Sequence, residues 1–94
     1  MVSPGPIRDF VFTDHALAEM ARRDIAKEEV TAVLAVPGQV EEVRAGRIVS
    51  QARLEIGNPP KTYLLRVFID VDFKPCRIVT VYRTSKVEKY WRQS

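Results

Sequence analysis

The sequence predicts an α+β domain, in which an antiparallel sheet of four strands, or five, carries an N-terminal helical hairpin and a C-terminal helix. Three observations lead to this fold class. Apolar residues recur with helical spacing between residues 14 and 36, and they alternate with polar residues from 39 to 83. The predicted strands also follow one another directly, which favours antiparallel pairing with the helices packed on the sheet. The expected order is (β)ααββββα.

Short-range signals set the start of the chain. Residues 7 to 12 form either a short strand or a lead-in to the first helix. Thr13 is a suitable N-cap and Asp14 suits the positive end of the helix dipole, so we expect a helix that ends at about Arg23. Asp24 can end it by taking a left-handed or turn conformation. The helical period predicts two faces. The core face has Ala16, Leu17, Met20 and Ala21, and the polar face has His15, Ala18, Glu19 and Arg22.

A second helix is predicted to begin at Ala26 and to form a hairpin with the first. Ile25 and Val30 are spaced as a hydrophobic staple across this start. Pro37 and Gly38 stop the helix. Its buried stripe consists of Val30, Val33 and Leu34.

The next part of the chain has the period-two pattern of strands. Residues 39–44 and 47–56 flank Ala45-Gly46, which predicts a hairpin. Residues 62–71 and 77–83 are two further strands, separated from their neighbours by Pro-containing turns. In the second strand of the hairpin, the pattern assigns one face to Ile48, Ala52, Leu54 and Ile56 and the other to Val49, Gln51, Arg53 and Glu55.

The C-terminal twelve residues combine a helix start with four cations and two aromatic residues. Arg83 is expected to end the last strand. Ser85 and Glu88 fit a capping box, which predicts a helix from Lys86 onward. A stripe of Val87, Tyr90 and Trp91 would pack this helix on the sheet. A cationic, aromatic segment of this kind suggests contact with RNA or another acidic partner.

Composition places the chain in a broad class. Its 94 residues suffice for one domain, residues 1–94, and the net charge of +3 favours anionic partners. The single cysteine, Cys76, excludes an intramolecular disulfide and fits a reducing cytoplasm. Ligand spacing typical of a metal site is missing from the sequence, so we expect no metal and no cofactor. Neither a signal peptide nor an apolar run long enough for a membrane span is apparent. The predicted location is the cytoplasm.

Several segments together resemble a known family. They are Phe12 through Ala16, Met20 through Ile25, Glu28-Glu29-Val30, Pro37, Val79 through Lys86, and Tyr90-Trp91. Over nearly the whole chain, this set is similar to the small bacterial proteins catalogued as domain of unknown function 4258. That family resembles the RelE/ParE-like toxins of type II toxin–antitoxin systems, and Arg83-x-x-Lys86-x-Glu88 resembles their BrnT branch. Asp24 replaces a usual Gly and Ala26 a usual Ser or Thr, both at helix boundaries.

The resemblance implies a metal-independent endoribonuclease that cleaves mRNA, free or on the ribosome, and that an antitoxin silences. Arg83 and Lys86 match the family's positions around the scissile phosphate, and Arg66 and Arg53 complete a cationic surface if their faces coincide. His15, the one histidine, is a candidate base beside Glu19 and Arg22. The predicted catalytic residues are Arg83, Lys86, Arg66 and His15. The predicted RNA contacts are Arg53, Lys89, Tyr90 and Arg92.

Alternatives stay open at this point. Arg83 could pair with Glu88 or Asp70, and Tyr90 could serve packing alone. The chain could also be a non-catalytic module of the same fold that binds a protein or a nucleic acid. An exposed edge strand could support a homodimer or bind the antitoxin by strand addition.

Overall fold

Residues 6–93 fold as a five-stranded mixed sheet with three helices. The computed structural model describes residues 6–93, so residues 1–5 and 94 of the predicted domain lie outside the described range. The elements are β1 Phe10–Phe12, α1 Asp14–Arg23, α2 Lys27–Ala35, β2 Gln39–Arg44, β3 Arg47–Ile56, β4 Lys61–Asp70, β5 Cys76–Thr84 and α3 Val87–Tyr90. This confirms the α+β class. No helix within residues 6–93 is long and apolar enough to span a membrane.

The sheet corrects the prediction of a purely antiparallel arrangement. Its strand order is β1-β5-β4-β3-β2. β2 to β5 pair antiparallel, whereas β1 lies at the edge and pairs parallel with β5. The optional fifth strand of the prediction is therefore present as β1. It runs parallel to its neighbour β5, whereas an all-antiparallel sheet would require the opposite direction. The two helices between β1 and β2 carry the chain from one edge of the sheet to the other.

The helix boundaries follow the expected signals. The Thr13 hydroxyl accepts a hydrogen bond from the Ala16 N–H (3.1 Å), and Asp24 ends α1 in the left-handed conformation with φ 55°. At the start of α2, Glu29 accepts from the Ala26 N–H (2.9 Å). The N-cap residue Ala26 has no side chain that could cap the helix. The Glu29 carboxylate instead satisfies the free N–H of Ala26.

The predicted core face of α1 is only half correct. Ala16 and Met20 are buried, but Leu17 is 37% exposed and Ala21 is exposed. Glu19, assigned to the polar face, is 8% exposed. Compared with the prediction, α1 is rotated about its own axis, so that the face with Glu19 points toward the sheet. Arg22 and Arg23 form ion pairs with this carboxylate, which offsets the cost of its burial.

The helices α1 and α2 cover one face of the sheet, and the core lies between these helices and that face. This core includes Met20, Val30, Leu34, Ile48, Leu65, Val67, Ile69, Ile78 and Val81. The pattern of β3 is confirmed, because Ile48 and Ala52 belong to the core side and Gln51 and Arg53 to the other. We call that other side, away from α1 and α2, the open face.

A β-bulge in β5 changes which of its side chains reach each face. Phe68 pairs with Thr80 and the next residue, Ile69, pairs with Ile78, so Val79 is an extra residue in β5. The bulge breaks the alternation between Ile78 and Val81, and both become core residues although three positions separate them. Strict alternation starting at Ile78 would assign each later side chain of β5 to one face of the sheet. Because Val79 is an extra residue, each side chain after it lies on the opposite face.

The C-terminal helix is a single turn. The predicted capping box of Ser85 and Glu88 is wrong, because β5 continues through Thr84 and the N-cap is Lys86, which makes no side-chain cap. The Thr84 hydroxyl instead accepts from the Lys86 N–H (3.1 Å). After Tyr90 the backbone becomes extended at Trp91. Residues 87–93, which we call the C-terminal segment, contact the open face.

Ser50 provides a test of the core. Its hydroxyl is buried on the helix side of β3 and, among residues 6–93, finds no hydrogen-bond partner. Because an unpaired buried hydroxyl costs free energy, we expect Ser50→Ala to leave the free energy of unfolding unchanged or to raise it by up to about 1 kcal/mol. Urea unfolding followed by circular dichroism measures this.

Gln51→Ala, one residue further along the same strand, is the matched comparison. The Gln51 amide makes three hydrogen bonds, to Gln39, the Tyr90 carbonyl and Arg66, so its loss should lower the free energy of unfolding by roughly 2 kcal/mol. Equal destabilisation by the two variants would contradict this account of the two sites.

Candidate functional site

The open face carries a band of polar and aromatic side chains from three neighbouring strands. Gln51 and Arg53 come from β3. Arg66 comes from β4, and its Cα is paired with that of Gln51. Tyr82 of β5 is paired with Arg66 in turn. A straight row of three side chains therefore crosses the middle of the sheet, and the C-terminal segment lies beside it.

Gln51 connects the parts of this band. It is 1% exposed, and its amide nitrogen donates to Gln39 Oε1 (2.9 Å) and to the Tyr90 carbonyl (3.2 Å). Its amide oxygen accepts from Arg66 Nε (2.9 Å). One buried side chain thus holds β2, the side chain of Arg66 and the end of α3 in fixed positions.

Arg66 is oriented from several sides. Besides the bond to Gln51, its Nη1 donates to the Tyr82 hydroxyl (2.5 Å). Its guanidinium carbon lies 4.2 Å from the ring centroid of Tyr90, 5.2 Å from that of Phe68 and 5.6 Å from that of Tyr82. Within residues 6–93, no carboxylate forms an ion pair with Arg66. The result is a half-buried, pre-oriented cation whose charge is not neutralised by a direct partner.

Tyr90 lies where this cation acts on its phenol. A hydrogen bond from Tyr82, and then the nearby Lys89 and Arg66 cations, hold the pKa of Tyr90 below its ordinary value, although desolvation opposes them. The ring of Tyr90 packs edge-on against that of Tyr82, with 6.3 Å between centroids. These neighbours make the phenolate form of Tyr90, which is the better proton acceptor, less costly to form than in a free phenol.

The end of the C-terminal segment is bound to β2. Gln39 and Arg92 exchange two hydrogen bonds, from Gln39 Nε2 to the Arg92 carbonyl (2.8 Å) and from the Arg92 N–H to Gln39 Oε1 (3.0 Å). Arg92 Nη2 also donates to Glu41 (2.7 Å), and this bond is the main reason that the pKa of Glu41 is lowered. Arg92, predicted to contact RNA, thus has a carboxylate partner within the chain.

A cationic groove opens on the other side of the C-terminal segment. Its volume is about 640 Å³, and its lining includes Arg53, Lys86, Lys89 and Trp91. The guanidinium of Arg53 lies over the Trp91 ring, 4.4 Å from its centroid. Gly38 allows this placement, because a Cβ there would lie 2.8 Å from the Trp91 ring. Three of the predicted site residues, Arg53, Lys86 and Lys89, do come together here.

Arg83 does not join them, which corrects the predicted shared site. Its Cα is paired with that of the core residue Leu65, and its guanidinium donates to the Arg23 carbonyl (3.2 Å) and approaches Glu29 (3.7 Å). The bulge at Val79 is the physical reason, because it turns Arg83 to the helix side. The alternative pairings are also wrong. Arg83 meets Glu29 instead of Glu88, and Asp70 binds Arg47 (2.6 Å).

His15 is also separate from the open face. It is an exposed residue in the first turn of α1, on the helix side of the sheet. The expected partner Glu19 is turned inward and bound by Arg22 and Arg23. No group of His, Cys, Asp or Glu that could hold a metal ion occurs within the described part of the chain.

Sequence reasoning missed three residues of this site, namely Gln51, Tyr82 and Glu41. Gln51 was assigned to the correct face of β3, and its alignment with Arg66 follows once the hairpin register is known. Tyr82 gave no such signal, because its face depends on the bulge. Glu41 stands next to Glu42 in the sequence and gives no signal of a partner there, whereas in the structure it is half-buried and binds Arg92.

A family model covers most of the chain. Residues 12–83 match the model of a family described as Domain of unknown function (DUF4258), and the chain belongs to that family. The matched range includes Gln51, Arg66 and Tyr82, and it ends before the C-terminal segment with Tyr90. Comparison with curated proteins and with solved structures gave no match.

The lowered pKa of Tyr90 can be measured by tyrosinate absorbance. We expect part of the signal to titrate below the ordinary phenol pKa of 10.0, because Tyr82 and the two cations favour the charged form. Tyr90→Phe should remove this part, and Arg66→Gln should move it toward higher pH. An unchanged titration in Tyr90→Phe would contradict the assignment.

Proposed function

We propose that this chain is a RelE-like, toxin-type endoribonuclease that cleaves RNA without a metal ion, with its site on the open face around Arg66. The observation that carries the proposal is the Arg66 guanidinium, which Gln51 and Tyr82 orient and which no carboxylate of the described residues pairs with. A planar guanidinium held in this way can bind two phosphate oxygens at once.

The architecture supports the RelE-like part of the proposal. The element order βααββββα is the one that the resemblance to RelE and BrnT toxins implies, with β1 as the optional first strand. Both long helices cover one face, so the other face of the sheet remains for a ligand. Arg66 lies on β4, in the middle of that face, where neighbouring strands on each side fix its backbone.

The chemistry assigns a role to each group at the site. Tyr90, as a phenolate, takes the proton from a ribose 2′-OH, which attacks the adjacent phosphorus. Arg66 stabilises the negative charge that builds on the phosphate oxygens. The Lys89 ammonium, 5.3 Å from the centroid of the Tyr90 ring, supplies a proton to the departing 5′-oxygen. The products are a 2′,3′-cyclic phosphate and a free 5′-hydroxyl, so the reaction needs neither a metal nor a cofactor.

The proposal also includes a protein partner that silences the enzyme. An antitoxin would act by covering the open face or by adding a strand at β2, an edge strand. The same edge would serve a homodimer. A partner that covers the open face would limit access to Arg66 without changing its chemistry.

One observation favours the non-catalytic alternative. Two of the three Arg66 nitrogens already have partners within the chain, and the only histidine lies on the opposite side of the sheet. A module that only binds RNA or an acidic protein would need the charge of Arg66 but no proton acceptor. Tyr90 therefore distinguishes the two functions.

The test is cleavage of a single-stranded RNA by the purified protein in the presence of EDTA. We expect 2′,3′-cyclic phosphate ends, and a loss of roughly 100- to 1,000-fold in rate for Arg66→Ala, because it removes the charge that stabilises the transition state. Arg83→Gln is the matched control. It removes an arginine from the helix side, so its rate per folded molecule should stay close to wild type.

Intact RNA with the folded wild type would reject the ribonuclease. RNA binding that requires Arg66, without cleavage, would establish the binding module instead. Equal rates for wild type and a folded Arg66→Ala would show that the site lies elsewhere.

A further inference from the structure

The groove beside the C-terminal segment extends away from the cleavage site, with which it shares Lys89. Arg53, Lys86 and Lys89 provide three cations around a space of about 640 Å³. Glu88 is also in the lining, and Glu55 lies at its border, where it accepts a hydrogen bond from Thr62 (2.5 Å). The cations thus exceed the nearby carboxylates, so the groove suits an anion.

An aromatic surface adds a second kind of recognition. Trp91 is half-buried, and it forms part of the groove wall together with the Arg53 guanidinium that covers it. Nucleic-acid bases stack on aromatic rings and on guanidinium planes alike. Cations next to such a stack match a nucleotide, which has a phosphate and a base. An acidic peptide would use the cations alone.

The position of the groove relates it to the cleavage site. Arg53 follows Gln51 by two residues on β3, and Gln51 is paired with Arg66 on β4. Strand geometry therefore puts the Arg53 and Arg66 Cα atoms roughly 8 Å apart on one face. One extended nucleotide spans this separation.

We propose that the groove is a subsite for the nucleotide next to the cleaved phosphate, in which Lys86 and Lys89 bind its phosphate and its base stacks on the Arg53–Trp91 pair. The assignment rests on the proposed function, because it extends the same RNA strand from Arg66 into the groove. It gives Lys86 a binding role in place of the predicted catalytic one.

The test measures binding of a dye-labelled 2′-O-methyl RNA hexamer, which cannot be cleaved, by fluorescence anisotropy over a series of salt concentrations. We expect Lys86→Ala with Lys89→Ala to weaken binding and to reduce the slope of log K against log salt by about 0.7, because one phosphate contact with a single strand contributes roughly this amount. Lys27→Ala with Lys74→Ala is the control. It removes the same charge outside the groove and should leave the slope near the wild-type value.

Trp91 gives an independent readout, since it is the only tryptophan of the chain. The unlabelled hexamer should change its fluorescence, whereas hexaglutamate at the same concentration should not. Trp91→Ala should weaken hexamer binding roughly 5- to 150-fold, which is the range for loss of one stacked base.

The possible failures can be told apart. Equal slopes for the two double variants, or an equal response to hexaglutamate, would overturn the subsite even if the protein cleaves RNA. Normal hexamer binding through the groove by a protein that cleaves nothing would reject the ribonuclease and retain the groove as an RNA-binding site.

Discussion

The buried amide of Gln51 is the interaction on which the open face depends. It satisfies Gln39, the Tyr90 carbonyl and Arg66 Nε at once, although these groups belong to β2, the C-terminal segment and β4. A side chain that could not both donate and accept would leave at least one of these groups without its partner, at a position that is 1% exposed. Gln51 therefore links the orientation of Arg66 to the docking of the segment that carries Tyr90 and Trp91.

The two faces of the sheet give their arginines different environments. On the helix side, Arg23 binds Glu19 and the Val81 carbonyl, and Arg83 binds the Arg23 carbonyl and Glu29, so both hold the helices to β5. On the open face, Arg66 lies among aromatic rings without a carboxylate partner. Such a cation retains its attraction for an external anion, whereas the paired ones have largely lost it. The family match alone does not reveal this difference.

The sequence predicted the local structure better than the site. The bounds of β2 and β3 and the left-handed Asp24 are as expected, because turn residues and a period of two are local signals. The face of Arg83 depends on the bulge at Val79, which is set by how β5 pairs with β4. No pattern within β5 shows it, since Ile78, Val79 and Val81 are all apolar. Ser85 and Glu88 have the spacing of a capping box, but Thr84 continues the strand and takes over the capping contact.

The distribution of unpaired and paired arginines among residues 6–93 means that a ligand should bind the open face and not the helix side. Chemical-shift mapping of the ¹⁵N-labelled protein with a non-cleavable single-stranded RNA tests it most directly. We expect shifts of the Arg66 side-chain Nε–H and of the backbone amides of Gln51, Tyr82 and Tyr90, with little change at His15. Shifts concentrated on α1 and around the Arg83 guanidinium, with Arg66 unaffected, would contradict it.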